Sequence, residues 1–161
     1  MQAYVETAIA LRGRGLAVPF ATRRLRDDRI VGSTRFGNVE RWEWAAETTL
    51  ARAPTIPDAV EIGWTWLAPS AQRTEVNTEA KLLMLRRAFD DWRVHRVTFC
   101  TDARNARSRA NIERVGAKLD GVLRANRPAS DGTVRDTAYY SIVAREWPEV
   151  AERLAARAAR I

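Results

Sequence analysis

The residue of this sequence best suited to acid–base chemistry is Glu61, a carboxylate within the apolar run Val60–Leu67. Charged groups are seldom buried in a strand without a partner, so this carboxylate needs an explanation. Two explanations stay open. Glu61 pairs with an arginine such as Arg35 and only stabilises the sheet, or it lies at a substrate site. There, partial burial would raise its pKa toward neutrality and suit it to accept a proton.

The second feature with chemical potential is the segment after this run, where a strand leads through a tight loop into a helix. Pro69 ends the strand, Asn77 is a good N-cap, and Glu79 places an acid in the first helical turn. Apolar residues then recur at helical spacing as far as about Trp92. The free N–H groups of such a loop and helix start converge at the positive end of the helix dipole, which suits an anion.

Alternation of side chains along the central strand predicts which residues share a face. One face is expected to carry Glu61, Gly63, Thr65 and Leu67, and the other Val60, Ile62, Trp64 and Trp66.

Composition limits the classes of function. The chain has 161 residues, 46% of them apolar, which is enough for one domain with a substantial core. No apolar run could span a bilayer and no signal peptide is visible, so we expect no membrane partner. A single cysteine, Cys100, excludes an internal disulfide and indicates a reducing compartment, the cytoplasm. Together with the one histidine, His95, it cannot build a typical zinc site or a histidine-dependent hydrolase, so no metal is expected.

The formal charge is +7, almost all of it from arginine, and favours anionic partners. The alternative is that these charges are spread over solvated faces, which the scatter of arginines along the chain favours. The sequence has no RNA-binding signature and no zinc-finger spacing, so nucleic acid is not expected as a partner.

Periodicity and turn residues predict a strand–helix–strand unit, and therefore one parallel strand pair in an otherwise antiparallel, mixed α/β (α+β) sheet. The segment 38–58 is harder to assign: 43–51 could form a helical turn or two, and Trp42 and Trp44 either pack on the sheet or form a lid. The predicted elements are helix 6–14, strands 16–25 and 30–36 as a hairpin, strand 60–67, helix 77–92, strand 95–101, helix 106–115 ended by Gly116, strands 119–125 and 135–144, and a helix opened by Pro148.

Four stretches resemble the GNAT superfamily of N-acetyltransferases, most closely the branch of bacterial ribosomal-protein N-terminal acetyltransferases. They are Val-Glu-Ile-Gly-Trp-Thr-Trp-Leu at 60–67, Asn-Thr-Glu-Ala-Lys at 77–81, Thr-Asp-Ala-Arg-Asn-Ala-Arg-Ser at 101–108, and Arg-Asp-Thr-Ala-Tyr-Tyr-Ser-Ile at 135–142 with Glu-Trp-Pro at 146–148. The family's coenzyme signature, Gln/Arg-x-x-Gly-x-Gly/Ala, begins at Gln72. Glu75 and Asn77 replace its later small residues.

The resemblance implies a mixed, mostly antiparallel sheet whose one parallel pair is splayed at the acyl-CoA site, with helices on both faces. It implies a single domain over 1–161 that lacks the family's usual N-terminal strand and helix. The strand at 16–25 would then be an open edge, and open edges favour pairing in a homodimer. Pro19 and the flanking arginines could instead protect the edge.

The resemblance also implies an acetyl-CoA site. The main chain of Trp66 and Leu67 would pair with the pantetheine arm, Asn105 would hydrogen-bond that arm, and Ser108 would face the sulfur. Many family members have a tyrosine acid where this chain has Ile112, so Ser108 or a water would protonate the thiolate. Asn105 could instead only cap its helix, and Ser108 could be a surface residue. The pyrophosphate would be held by Gln72, Arg73, Thr74, Glu75, Val76, Asn77 and Thr78.

Two functions follow as expectations. The first is an N-acyltransferase that moves an acetyl group from acetyl-CoA to a primary amine (a protein N-terminus, a lysine or a small amine) by direct attack, with Glu61 as the base. The second is a catalytically degraded basic module that binds nucleic acid or a ribosomal surface. Glu75 and the missing tyrosine favour the second.

Overall fold

The computed structural model describes residues 2–51 and 53–159. The predicted hairpin is confirmed, and the helix predicted at 106–115 has those bounds, with Gly116 at φ 113° ending it. The elements are α1 (Gln2–Gly13), β1 (Val18–Arg24), β2 (Arg29–Glu40), β3 (Ala59–Leu67), α2 (Val76–Arg86), β4 (Arg96–Asp102), α3 (Ala106–Val115), β5 (Lys118–Pro128), β6 (Val134–Val143) and α4 (Trp147–Ala158).

The six strands form one sheet in the order β1-β2-β3-β4-β6-β5. All neighbours are antiparallel except β3 and β4, which confirms the predicted mixed sheet. The parallel pair is short: its register covers only Ala59 to Glu61 on β3, opposite Arg96 to Thr98 on β4. Beyond Glu61 the two strands separate, so the remaining half of β3 faces an opening in the sheet.

The core lies between one face of the sheet and the helices α2, α3 and α4. Strand alternation puts Val97 and Phe99 of β4 into this core, while Thr98 and Cys100 point to the other face. The rings of Phe89 and Trp147 stack with centroids 5.3 Å apart and join α4 to the segment after α2. The largest fully buried side chains include Tyr140, Phe36, Leu85, Ile142 and Leu154.

The helix α1 lies on the opposite face of the sheet. The hydroxyl of Tyr4 donates to the carbonyl oxygen of Trp64 (3.2 Å) and lies 3.4 Å from the hydroxyl of Ser33. Helices therefore cover both faces, as predicted. No helix within residues 2–51 and 53–159 is long and apolar enough to cross a membrane.

The predicted helical turns at 43–51 are wrong, because this segment is irregular. Its two tryptophans are held by Asp58, just before β3. The indole N–H of Trp44 and the backbone N–H of Trp42 each donate to the Asp58 carboxylate at 2.8 Å. Trp42 also stacks on His95, just before β4. This is the end of the parallel pair remote from the opening, so a lid role for the tryptophans is wrong too.

The helix α2 begins at Val76, two residues before Thr78, where a cap at Asn77 would start it, and Asn77 does not cap it. Glu75 occupies the N-cap position and its side chain makes no capping hydrogen bond. The hydroxyl of Thr74 instead closes the turn: it donates to Ala71 O at 2.7 Å and accepts weakly from the Val76 N–H at 3.4 Å. Regular α-helix ends at Arg86, and one π-helical turn, Arg87–Asp91, completes the predicted length.

The predicted alternation of β3 is wrong beyond Gly63 because the strand bulges. Ser33 of β2 pairs with Trp66 and Arg35 pairs with Gly63, so the single residue Thr34 faces two residues of β3, Trp64 and Thr65. Trp64 adopts a left-handed φ of 50°. The ring of Trp64 thereby lies over Gly37, where any Cβ would collide with it, on the same face as Glu61. The side chain of Thr65 turns to the opposite face, toward α2.

Candidate functional site

A cleft of about 720 Å³ opens where β3 and β4 separate. One wall is the free half of β3, the other is α3, and the loop before α2 closes one end. The lining includes five basic side chains and no carboxylate among the described residues, so the cleft attracts anions. These five are Arg73, Lys81, Arg107, Arg114 and Arg157.

Most residues predicted to bind the coenzyme line this cleft. Glu75 and Val76 do not: Val76 is buried against Val31 and Ala71. Those that line it are Trp66, Leu67, Gln72, Arg73, Thr74, Asn77, Thr78, Asn105 and Ser108.

The start of α2 presents unpaired N–H groups to the cleft. The first helical hydrogen bond runs from Glu79 N to Glu75 O at 3.0 Å, so the N–H groups of Asn77 and Thr78 have no partner within the helix. Arg73, just before, takes a left-handed φ of 61°, which turns the chain sharply into α2. Free N–H groups at the positive end of a helix dipole form an anion site.

Side chains connect the two walls of the cleft. Gln72 donates its amide N–H to Leu67 O at 2.9 Å and accepts from the Arg107 guanidinium at 2.8 Å. Gln72 thus ties the end of β3 to the first turn of α3. Arg157 of α4 donates to Arg114 O at 2.8 Å and fixes the far end of α3.

The acidic residue Glu75 does not line the cleft. The pKa of Arg24 is raised chiefly by its hydrogen bond to Asp27 and further by the charge of Glu75. The charge of Glu75 thus acts on Arg24, which lies outside the lining of the cleft.

The start of α3 is capped, in contrast to α2. Asn105 Oδ1 accepts the Ser108 N–H at 2.9 Å, so Asn105 caps the helix. Asn105 and Ser108 both line the cleft. Ile112 lines it as well, one turn further along α3.

Glu61 lies on the other face of the sheet at the point where the parallel strands part. It is only 5% exposed. Its carboxylate accepts from the Asn38 amide at 2.5 Å and from the Cys100 thiol at 3.0 Å. Burial, followed by the hydrogen bond to Glu61, raises the pKa of Cys100 to about 12, so the thiol keeps its proton. Cys100 also lines the cleft and therefore connects Glu61 to it.

The suggested ion pair between Glu61 and Arg35 is absent from the described residues. Arg35 stacks its guanidinium over the Trp64 ring, 4.0 Å from the centroid, and its buried Nε has no hydrogen-bond acceptor among the residues described. The bulge explains the change of partner, because it carries the indole onto the face where Arg35 lies.

Sequence reasoning missed three side chains of this region. Asn38 reaches Glu61 because a second irregularity in β2, at φ 43°, turns it toward the carboxylate. Cys100 could have been found, since alternation in β4 places it beside the neighbouring strand. Lys81 enters the sequence argument only as part of a motif. It is 6% exposed and lines the cleft.

No group of three or more histidine, cysteine, aspartate or glutamate side chains able to hold a metal ion occurs within residues 2–51 and 53–159. The chemical groups at hand are a cationic cleft, a helix start open to anions, and a carboxylate at the point where the strands part.

The chain is similar to known proteins in sequence and in fold. YdaF of Bacillus subtilis (strain 168), provisionally named a ribosomal N-acetyltransferase, is 33% identical over 87 residues. That match covers 54% of this chain and 46% of YdaF, so it spans less than half of the relative.

The solved structures that match nearly the whole chain include the following two. One from T. thermophilus, provisionally described as an acetyltransferase, is 35% identical, with a TM-score of 0.74 over 97% of this chain and 72% of its own. The other is Mycobacterium smegmatis RimJ in complex with CoA-disulfide, 27% identical, with a TM-score of 0.75 over 97% of this chain and 67% of RimJ.

The family model described as the acetyltransferase (GNAT) domain matches residues 1–118, which is most of the chain. The resemblance inferred from four motifs is therefore confirmed, and the chain belongs to the GNAT acetyltransferase family.

Proposed function

We propose that this protein transfers an acetyl group from acetyl-CoA to a primary amine by direct attack of the amine on the thioester. The observation that carries the proposal is the cationic cleft at the splayed strands, which ends at the uncapped start of α2. A cleft of this charge suits a ligand with several phosphates. Family membership and the RimJ complex with a coenzyme A adduct support the same ligand.

In this proposal the pyrophosphate binds the N–H groups of Asn77 and Thr78, with Arg73 and Arg107 as counter-charges. The pantetheine arm runs along the main chain of Trp66 and Leu67 toward Cys100, where the Leu67 carbonyl oxygen already accepts from the Gln72 amide. Its amide groups would pair with the strand as a neighbouring strand does. The thioester would then lie where β3 and β4 part.

The chemical step needs a proton acceptor and a proton donor. The amine nitrogen forms a bond to the thioester carbon, the carbon–sulfur bond breaks, and the sulfur leaves as a thiolate. Glu61 accepts the proton lost by the amine, directly or through a water. Ser108 or a water returns a proton to the thiolate. Holding both reactants together can supply roughly 7–11 kcal/mol of the barrier.

A protein N-terminus is the acceptor to test first, because YdaF is provisionally named a ribosomal N-acetyltransferase. A lysine side chain or a small amine is the other acceptor to test. Mass-shift screening with acetyl-CoA, N-terminal peptides, lysine peptides and polyamines separates these classes.

The coenzyme proposal is tested by thermal unfolding and amide hydrogen exchange. Acetyl-CoA at a hundredfold excess over its dissociation constant should stabilise the protein by about 2.7 kcal/mol. It should also slow exchange of the amides at 72–78. If millimolar acetyl-CoA produces neither effect, the coenzyme proposal is wrong. The alternative of a basic binding module without catalysis would then be favoured.

A homodimer and a cytoplasmic location stay predictions. β1 is an edge of the sheet, paired only with β2 among the described strands, so its outer side is open to pairing. Light scattering at tens of micromolar should give twice the monomer mass. A clean monomer would show that Pro19 and the arginines protect the edge.

A further inference from the structure

The most unusual buried group outside the proposed chemical step is Lys81, in the second turn of α2. Its ammonium nitrogen lies 2.7 Å from Thr65 Oγ1 and 3.0 Å from Thr34 Oγ1, and those two hydroxyls lie 2.9 Å apart. Both hydroxyls also approach Gly63 O, at 3.4 and 3.5 Å. Lys81 thus bonds the two strands on either side of the bulge that displaces Trp64.

This cluster has one donor too many when Lys81 is charged. An ammonium group carries three N–H donors. Two of them reach Thr34 and Thr65, and the third has no acceptor among the described residues. The neutral amine has two N–H donors, one for each hydroxyl, so no N–H is left without an acceptor. Because Lys81 lines the cleft, the third N–H of the charged form could reach a bound ligand.

The groups around Lys81 also provide no negative charge that would stabilise its ammonium form. β2 and β3 present only the hydroxyls of Thr34 and Thr65. On β4, the thiol of Cys100 is protonated and points, like Glu61, to the other face of the sheet. On α2 itself the nearest acid is Glu79, which faces outward from the first turn. The other charged groups lining the cleft are the cations Arg73, Arg107, Arg114 and Arg157. Burial alone lowers the pKa of Lys81 to about 7, half-charged near neutral pH.

We propose that Lys81 is the positioning residue that fixes the bulge of β3, and that it takes up a proton when coenzyme A enters the cleft. The inference rests on the proposed coenzyme site. The phosphates of coenzyme A bring negative charge into a cleft that otherwise holds only cations, and a carbonyl of the pantetheine arm can accept the third N–H. Both effects favour the ammonium over the amine. Coenzyme binding is therefore linked to the protonation of one lysine.

The proton uptake can be counted on the unaltered protein by calorimetry with coenzyme A in two buffers of different ionisation enthalpy. At about pH 8 we expect close to one proton taken up per coenzyme bound, and far less at about pH 6, where Lys81 is already charged. The dissociation constant should rise by up to about tenfold for each pH unit above neutrality. Binding with no uptake at the higher pH would overturn the inference.

Two variants test whether Lys81 is the residue that takes up the proton. Lys81→Met keeps the unbranched apolar stem and removes the titrating group, so its binding should show no uptake from this source. His95→Gln is the matched control, because it removes the only histidine, which does not line the cleft, and it should keep the uptake of the unaltered protein. Equal uptake in the Lys81→Met variant and the unaltered protein would place the proton elsewhere and refute the proposal.

A third variant tests positioning. Thr65→Val removes one hydroxyl partner and leaves the lysine. It should therefore shift the pH at which affinity declines, while Thr7→Val, in which the lost hydroxyl lies on exposed α1, should not. An unshifted pH profile in Thr65→Val would refute the link to the bulge. If the unaltered protein does not bind coenzyme A at all, the proposed function fails. If it binds without proton uptake, only the present inference fails.

Discussion

Two buried ionisable side chains lie on opposite sides of the same strand, and their surroundings differ. Lys81 reaches β3 from the cleft side, is held by two neutral hydroxyls, and has no carboxylate near it. Glu61 lies on the other side, is held by an amide and a thiol, and has no guanidinium in salt-bridge range among the described residues. Neither side chain forms an ion pair with another described residue.

A fold gains little stability from an unpaired buried charge, so such groups are expected where a ligand or a reaction needs them. The bulge at Trp64 divides the two environments, since it turns Thr65 toward the lysine and the indole toward the carboxylate side. Changes on the Glu61 side should therefore alter turnover, and changes on the cleft side should alter coenzyme binding. The predictions below test that division.

The largest effect is expected at Glu61. Glu61→Gln keeps the shape and one of the two accepting oxygens, replaces the other oxygen by an N–H donor, and removes the proton acceptor. Turnover with acetyl-CoA and an amine should fall roughly 10²–10⁴-fold, with little change in acetyl-CoA affinity. The acidic limb of the pH–rate profile should also disappear. Steady-state kinetics across pH, with calorimetry for the affinity, measures both.

Asn38→Ala is the matched control for this change. It removes one hydrogen bond to the carboxylate and leaves the carboxylate in place, so turnover should fall much less than in Glu61→Gln. Near-normal turnover in Glu61→Gln with an unchanged acidic limb would show that Glu61 is structural. The base would then be water or another residue.

The next effect is a dependence of stability on pH caused by Lys81. Its pKa is about 7 in the folded protein and 10.5 as an ordinary lysine, so between these values the unfolded chain binds more protons than the folded one. The free energy of unfolding should therefore rise with pH across this window, by up to about 1.4 kcal/mol per pH unit, and this contribution should be constant below it.

Urea unfolding of the unaltered protein and of Lys81→Met, both without ligand, isolates this contribution. The difference in unfolding free energy between the two should change across the window and level off at its ends. A difference that stays constant from neutral to alkaline pH would mean that Lys81 remains charged in the empty cleft.

A smaller effect is expected at the phosphate end of the cleft. Arg73→Glu reverses a charge beside the open start of α2, and coenzyme A should bind roughly tenfold to a hundredfold more weakly. Turnover at saturating coenzyme should change little. Arg124→Glu on exposed β5 makes the same change of net charge away from the cleft and serves as the control. Equal weakening in both variants would indicate a general charge effect rather than a contact.

Much of this fold follows from the sequence because its signals are local. The helix at 106–115 has a capping asparagine before it and a glycine after it, and both ends were predicted correctly. The parallel pair follows from the strand–helix–strand order. The GNAT family follows from motifs that together extend from 60 to 148.

The errors arise where long-range contacts override local pattern. Alternation failed at Trp64 because a bulge depends on pairing with β2, which the sequence of β3 does not reveal. The segment after β2 has residues able to form a helix, but its tryptophans bind Asp58 and His95 instead. Asn77 failed as a cap because Thr74 already closes the preceding turn. Nothing in the local sequence distinguishes Lys81 from an exposed lysine, because its burial depends on the packing of α2 on the sheet.

The smallest effect concerns the two helix starts that face the cleft, one open at α2 and one capped by Asn105 at α3. Asn105→Ala removes the cap and should lower the free energy of unfolding by about 1 kcal/mol. Asn105→Ser restores a capping oxygen without the amide, so it should recover most of that stability. If the amide also donates to the pantetheine arm, both variants should bind coenzyme A more weakly, by a similar factor. Urea unfolding and calorimetry on the same two proteins give the answer. Normal affinity in Asn105→Ser would leave Asn105 as a cap alone, and the open start of α2 would then be the only helix end that contacts the ligand.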